Sequence, residues 1–162
     1  MIIDSFQTNP VTRPMSAMGV GQSVLGADPS QIISGKRQIS LEMAGLNISA
    51  GTLTLIKGQW TEGYLHYDLG SARNFTQLDV QIAACPATLR LALALWNNTA
   101  SGTGFSSAFV THATPNSVLS VARAAFLGAA DLNSVDSLRI FLLPDSATAG
   151  NFEFTGIDMV VA

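Results

Sequence analysis

Charge is scarce in this chain. Of its 162 residues, 8 are Lys or Arg and 11 are Asp or Glu, giving a net charge of -3 and a charged fraction of 12%. An ordinary soluble protein carries about 25%. Binding nucleic acid through its phosphates takes a cationic surface, so that partner is excluded. The hydrophobic fraction of 48% excludes intrinsic disorder, which goes with low hydrophobicity and high net charge. Cysteine is nearly absent: Cys85 stands alone and has no partner for an internal disulfide. No apolar run approaches the length of about 18 residues that a membrane-spanning helix needs, so no membrane partner is expected. The opening residues, MIIDSF, put Asp4 where a secretory leader would carry basic residues, so no leader is expected. A chain of this length supports one domain with a sizeable core, residues 1–162.

What is present is a period of two. Leu78, Val80 and Ile82 alternate with Gln77, Asp79 and Gln81. Leu89, Leu91, Leu93 and Leu95 follow the same pattern, as do Leu138, Ile140 and Leu142. Leu65, Tyr67 and Leu69 alternate with Tyr64, His66 and Asp68, while Ile39, Leu41 and Met43 alternate with Ser40 and Glu42. This is the pattern of half-buried strands over a shared core. Turn residues separate the runs: Gly45, Ala50-Gly51, Gly63, Gly70-Ser71 and Cys85-Pro86. Strands spaced near ten residues apart predict an all-β sandwich or barrel and not alternating βαβ units. Of the two, the all-β antiparallel sandwich is the fold expected. In the final run, Asn151–Ala162, the apolar phase shifts after Gly156, as at a β-bulge. Ser120–Asp131 reads as a strand running into a loop or as one helical turn. Residues 9–34 hold several Pro and Gly and no period, so they read as a long irregular excursion.

Three segments resemble the galactose-binding-like jelly rolls found among bacterial exported proteins and carbohydrate-binding modules. They are the opening Ile2-Ile3-Asp4-Ser5-Phe6; Ser34–Leu41, SGKRQISL; and Ala130–Ile140 with the closing Phe154–Val160. The resemblance implies a jelly roll whose first and last strands pair. It says little about role, because this superfold hosts unrelated functions.

Catalysis finds no constellation. There is no G-x-S-x-G turn, and only His66 and His112 offer an imidazole base. His66, mid-strand, reads as an exposed or hydrogen-bonded sheet residue. No metal or cofactor is expected: H-E-x-x-H, C-x-x-C and Asp-rich calcium loops are all missing. The nearest candidate pairs Asp4 with Asp158, which otherwise read as two surface carboxylates in a ladder. Asn47, Asn74 and Asn97 open N-x-S/T triplets, which matter only in a secreted eukaryotic chain.

Two non-enzymatic readings follow. The leading one is a structural subunit acting through contacts with itself and with a larger protein assembly. It would form a symmetric homo-oligomer such as a trimer, on the pattern of a phage capsid cement or decoration protein at the virion surface. Leu91–Ala122 contains no Asp, Glu, Lys or Arg, and charge depletion with aromatic and small residues marks interface centres. Phe105 and Phe109 in this run are candidate subunit contacts. Met15, Met18, Val20, Val24 and Leu25 in the N-terminal excursion are others. The alternative is a carbohydrate-binding module of a secreted or cell-surface protein. Its candidate glycan contacts are Trp60, Tyr64 and Trp96, with Glu62 and His66 near the first two and a polar Asn97-Asn98-Thr99 stretch, expected to be a loop, after the third.

Overall fold

The protein was analysed as a computed structural model, which describes residues 1–8, 10–13, 22–24, 28–42, 45–56, 62–99, 102–144 and 151–162. Among these residues the strands are β1 (Ile2–Asp4), β2 (Val11–Arg13), β3 (Gln22–Val24), β4 (Arg37–Glu42), β5 (Gly45–Ser49), β6 (Thr52–Ile56) and β7 (Glu62–Arg73). They continue with β8 (Phe75–Ala84), β9 (Leu89–Thr99), β10 (Gly102–His112), β11 (Ser117–Ala122), β12 (Leu127–Gly128), β13 (Val135–Pro144) and β14 (Asn151–Val161). The first sheet runs β11-β8-β14-β6-β5-β2, with β1 also paired to β14. The second runs β12-β10-β9-β13-β7-β4-β3. Every pairing is antiparallel. This is an all-β jelly-roll sandwich.

The alternation explains the two layers. Leu78, Val80, Ile82, Phe152, Phe154 and Met159 of the first sheet are buried, as are Leu65, Leu91, Leu93, Leu95, Ile140 and Leu142 of the second. Burying such side chains stabilises by roughly 1.5–3 kcal/mol each. In β14, Phe154 pairs with Ile82 and Gly156 with Gln81. Thr155 is thus the extra residue of a bulge, and the buried phase passes from Phe152 and Phe154 to Ile157 and Met159. The first and last strands pair, Ile2 opposite Asp158. The Met1 ammonium and the Met159 carbonyl are 2.8 Å apart.

The excursion at 9–34 is not wholly irregular. β2 joins the first sheet and β3 the second, pairing with β5 and β4. Three-residue strands are too short to display a period. The Ser120–Asp131 segment resolves into the end of β11, a 3₁₀ turn at Arg123–Ala125 and β12.

Asp4 does not lie in a surface ladder with Asp158. It is fully buried between the sheets, ion-paired with Arg37 of β4 through both guanidinium Nε and Nη2. The Tyr67 hydroxyl and the Phe6 amide also donate to it, at 2.8 and 2.9 Å. The Arg37 guanidinium lies over the Phe6 ring, 5.4 Å from its centroid. Burial would lower the Arg37 pKa, but the hydrogen bond and charge of Asp4 overcome it and raise the value. Burial and then the Asp4 charge push the Tyr67 hydroxyl well above the usual tyrosine range. Asp4 therefore serves as a cross-sheet clasp and has no lone pairs to spare for a cation. Asp158 points to the other side and accepts from Gln81 Nε2 at 2.9 Å.

Candidate functional site

The second sheet turns one set of alternating side chains into the core and the other outward. On β7 the outward set is Tyr64, His66 and Asp68. Register across the sheet then assembles rows. Tyr64 lies opposite Phe141, which lies opposite Ala92, which lies opposite Phe109. His66 lies opposite Gln38 on one side and Arg139 on the other, and Arg139 lies opposite Ala94. Ser137 lies opposite Trp96, which lies opposite Phe105. Strands β4, β7, β13, β9 and β10 thus build one face.

Its centre is a cation among rings. The Arg139 guanidinium carbon is 4.2 Å from the Tyr64 centroid, 5.1 Å from Trp96 and 5.7 Å from Phe141. Tyr64 and Phe141 meet edge to face at 5.7 Å, and Trp96 meets His66 at 6.4 Å and Phe105 at 5.1 Å. Ala92 and Ala94 project to this side yet are buried, opposite Phe141 and Arg139 of β13. Burial first and the Arg139 charge second lower the His66 pKa, with Asp68 opposing. Near neutral pH, His66 is therefore an uncharged imidazole beside a fixed cation.

The outer face of the first sheet is different in kind. Asp79 stands directly opposite Asp158, with Gln77 donating to Asp79 and Gln81 to Asp158. A shallow cavity of about 330 Å³ beside it is lined by Gln81, Asn116, Ser117, Thr155 and neighbours, with no charged or aromatic group.

His112 is no general base toward Ser117, although its Nε2 is 2.7 Å from the Ser117 Oγ. The same nitrogen is 2.8 Å from the Thr114 carbonyl oxygen, which only accepts, so Nε2 carries the proton. The Ser117 hydroxyl donates to that carbonyl as well, at 2.7 Å. Burial raises the Cys85 thiol pKa, which disfavours the reactive thiolate. Among the described residues no group of three or more His, Cys, Asp or Glu could hold a metal ion.

The two sets of candidates from sequence converge on one face. Tyr64 and Trp96, candidate glycan contacts, stand there. Phe105 and Phe109, expected at subunit contacts, stand on the same face, Phe105 against Trp96. Trp96 does not begin a loop: β9 continues through Asn97, Asn98 and Thr99. Trp60, Met15, Met18, Val20 and Leu25 lie outside the described residues, as does the side chain of Val24, whose backbone is in β3. Tyr67, in phase with Leu65 and Leu69, is buried against Asp4 and unavailable to a ligand. Arg139 and Phe141 were not singled out by sequence. Their signal was the alternation in LRIFLL, whose non-core positions become meaningful only once β13 is known to pair with β7.

The two antiparallel sheets and the paired first and last strands form a jelly-roll β-sandwich, a fold also seen in solved carbohydrate-binding modules. The solution structure of CtCBM11 superposes with a TM-score of 0.56 at 12% identity, covering 100% of this chain and 95% of that one. A family 11 carbohydrate-binding module from Clostridium thermocellum, solved with a β-1,3-1,4-mixed-linked tetrasaccharide, gives 0.52 at 10% identity, covering 98% and 94%. These similarities concern the fold. No protein-family model and no curated protein matches the chain.

Proposed function

We propose that this protein is a non-catalytic carbohydrate-binding module that takes a glycan chain on the outer face of its second sheet. The observation that carries this reading is the continuous cluster Tyr64, Phe141, Arg139, Trp96 and Phe105, with His66 beside it. Sugar rings present apolar C–H faces rimmed by hydroxyls. Rings held by packing, next to donors with capacity to spare, complement both features at low entropic cost. Half-buried Gln38 and Ser40 extend the face with neutral polar groups. Polysaccharides are met outside cells or on their surfaces, so the protein works there in this reading. Isothermal titration of the purified chain against a panel of soluble polysaccharides tests it. Binding is expected, and Trp96→Ala or Tyr64→Ala should weaken it about tenfold or more. A flat response across the panel contradicts the reading.

Self-association retains one observation in its favour. Phe109 and Leu127, on the adjacent strands β10 and β12, are 79% and 76% exposed. Light scattering decides this reading: a stable oligomer supports it and a monomer at high concentration retires it. Neither the face nor the fold neighbours favour a virion surface subunit, and that reading is not retained.

A further inference from the structure

The centre of the proposed glycan face is a cation without an acid. Among the described residues Arg139 makes no ion pair, and its Nε is buried without a hydrogen-bond partner. Among the described side chains, two nearby acids have other partners. Asp68 accepts from the Gly70 amide at 2.8 Å. Asp136 accepts from the Asn98 amide and side chain, at 2.7 and 3.0 Å, and from Ser137 at 2.8 Å. The His66 Nδ1, in the same row as Arg139, is likewise buried without a partner. One face of the Tyr64 ring is covered by the guanidinium.

Three rings therefore hold the guanidinium fork in place, its charge unneutralised and two nitrogens of the cluster unsatisfied. A planar fork of this kind pairs bidentately with a carboxylate or another oxyanion, and such charge-assisted bonds are roughly twice as strong as neutral ones. We propose that the glycan recognised here is acidic, carrying a carboxylate or a sulfate ester that seats on Arg139 beside His66. This inference rests on the glycan reading and specifies its substrate class.

The test is a titration of the intact chain with three uronate glycans: oligogalacturonate, alginate oligosaccharides and glucuronoxylan. Each is run beside its carboxyl-reduced form, and a sulfated galactan beside its desulfated form. At least one acidic member should bind roughly tenfold or more tighter than its neutral counterpart. That preference should shrink as salt is raised and vanish in Arg139→Gln. The arm that responds separates carboxylate from sulfate. Equal binding of acidic and neutral members overturns the inference and leaves the glycan reading standing. Binding to nothing in these sets or in the neutral panel overturns both.

Discussion

The guanidinium of Arg139 lies 4.2 Å from the centroid of the Tyr64 ring, on a sheet face that sequence spacing alone divides between two functions. Tyr64 is on β7 and Arg139 on β13, far apart in the chain, and only antiparallel pairing brings them into contact. The contact joins aromatic surface and positive charge at the middle of one open face. A cation over aromatic rings contributes about 0.5–2 kcal/mol, more as water is excluded. Arg139→Gln should therefore lower the free energy of unfolding by an amount in that range, read as a reduced urea midpoint with the slope unchanged.

His66 makes stability depend on pH. Burial, then the Arg139 charge, hold its pKa in the folded protein below the value of about 6.5 expected in an unfolded chain. The unfolded chain thus takes up the proton first as pH falls. Stability should be level above about pH 6.5 and decline as pH drops from there toward the folded value. His66→Gln should flatten that part of the profile. Denaturant midpoints measured across this range check the sign, and a stability that rises on acidification would contradict it.

The same histidine gives binding a pH signature if the ligand is acidic. An anion beside His66 raises its pKa, so binding takes up a proton and tightens as pH falls through the histidine range. The groups facing His66 are Arg139 and Trp96, Gln38 on β4, and Asp68 on its own strand. Titration calorimetry in buffers of different ionisation enthalpy measures the proton uptake directly. His66→Gln should abolish it while acidic glycans still bind through Arg139.

The buried clasp predicts a graded loss of stability. Tyr67→Phe removes one donor from the Asp4 carboxylate and should cost about 1–3 kcal/mol. Asp4→Ala leaves the Arg37 charge uncompensated between the sheets and should cost about 3–5 kcal/mol. Chemical denaturation of both variants ranks them, and the reverse order would contradict the assignment of Asp4 as the hub.

The hairpin between β5 and β6 carries a correctable strain. Ala50 and Gly51 both have positive φ, 49° and 82°, as a two-residue type I′ turn requires. Alanine is poorly suited to that region, and asparagine adopts it readily. Ala50→Asn should raise stability by up to about 1 kcal/mol. At Gly51 a Cβ would run into Gln7 Nε2, so Gly51→Ala should destabilise by moving that side chain and straining the turn.

Much of this architecture is legible in the chain. Alternation at Leu78–Ile82, Leu89–Leu95 and Leu138–Leu142 marks three inner strands, and Ala50-Gly51 and Gly156 mark a turn and a bulge. What the chain conceals is register. Phe105 and Trp96 stand nine residues apart with polar residues between them, and nothing local says that they touch. Arg139 reads as one solvated charge among few until pairing sets it opposite His66 and against Tyr64. Asp4 reads as exposed because its partners, Arg37 and Tyr67, come from the opposite sheet. The charge-poor run Leu91–Ala122, read as an assembly surface, includes half of the ring cluster and its buried Ala92 and Ala94.

The central claim is that the outer face of the second sheet is a glycan site. Its most direct test is an amide chemical-shift map of the labelled protein, recorded during titration with the tightest-binding oligosaccharide of the panels. The account predicts shifts concentrated at Tyr64, His66, Trp96, Phe105, Arg139 and Phe141. Shifts concentrated on the opposite sheet around Asp79, Gln81 and Asp158, or no saturable shifts with any glycan, would contradict it.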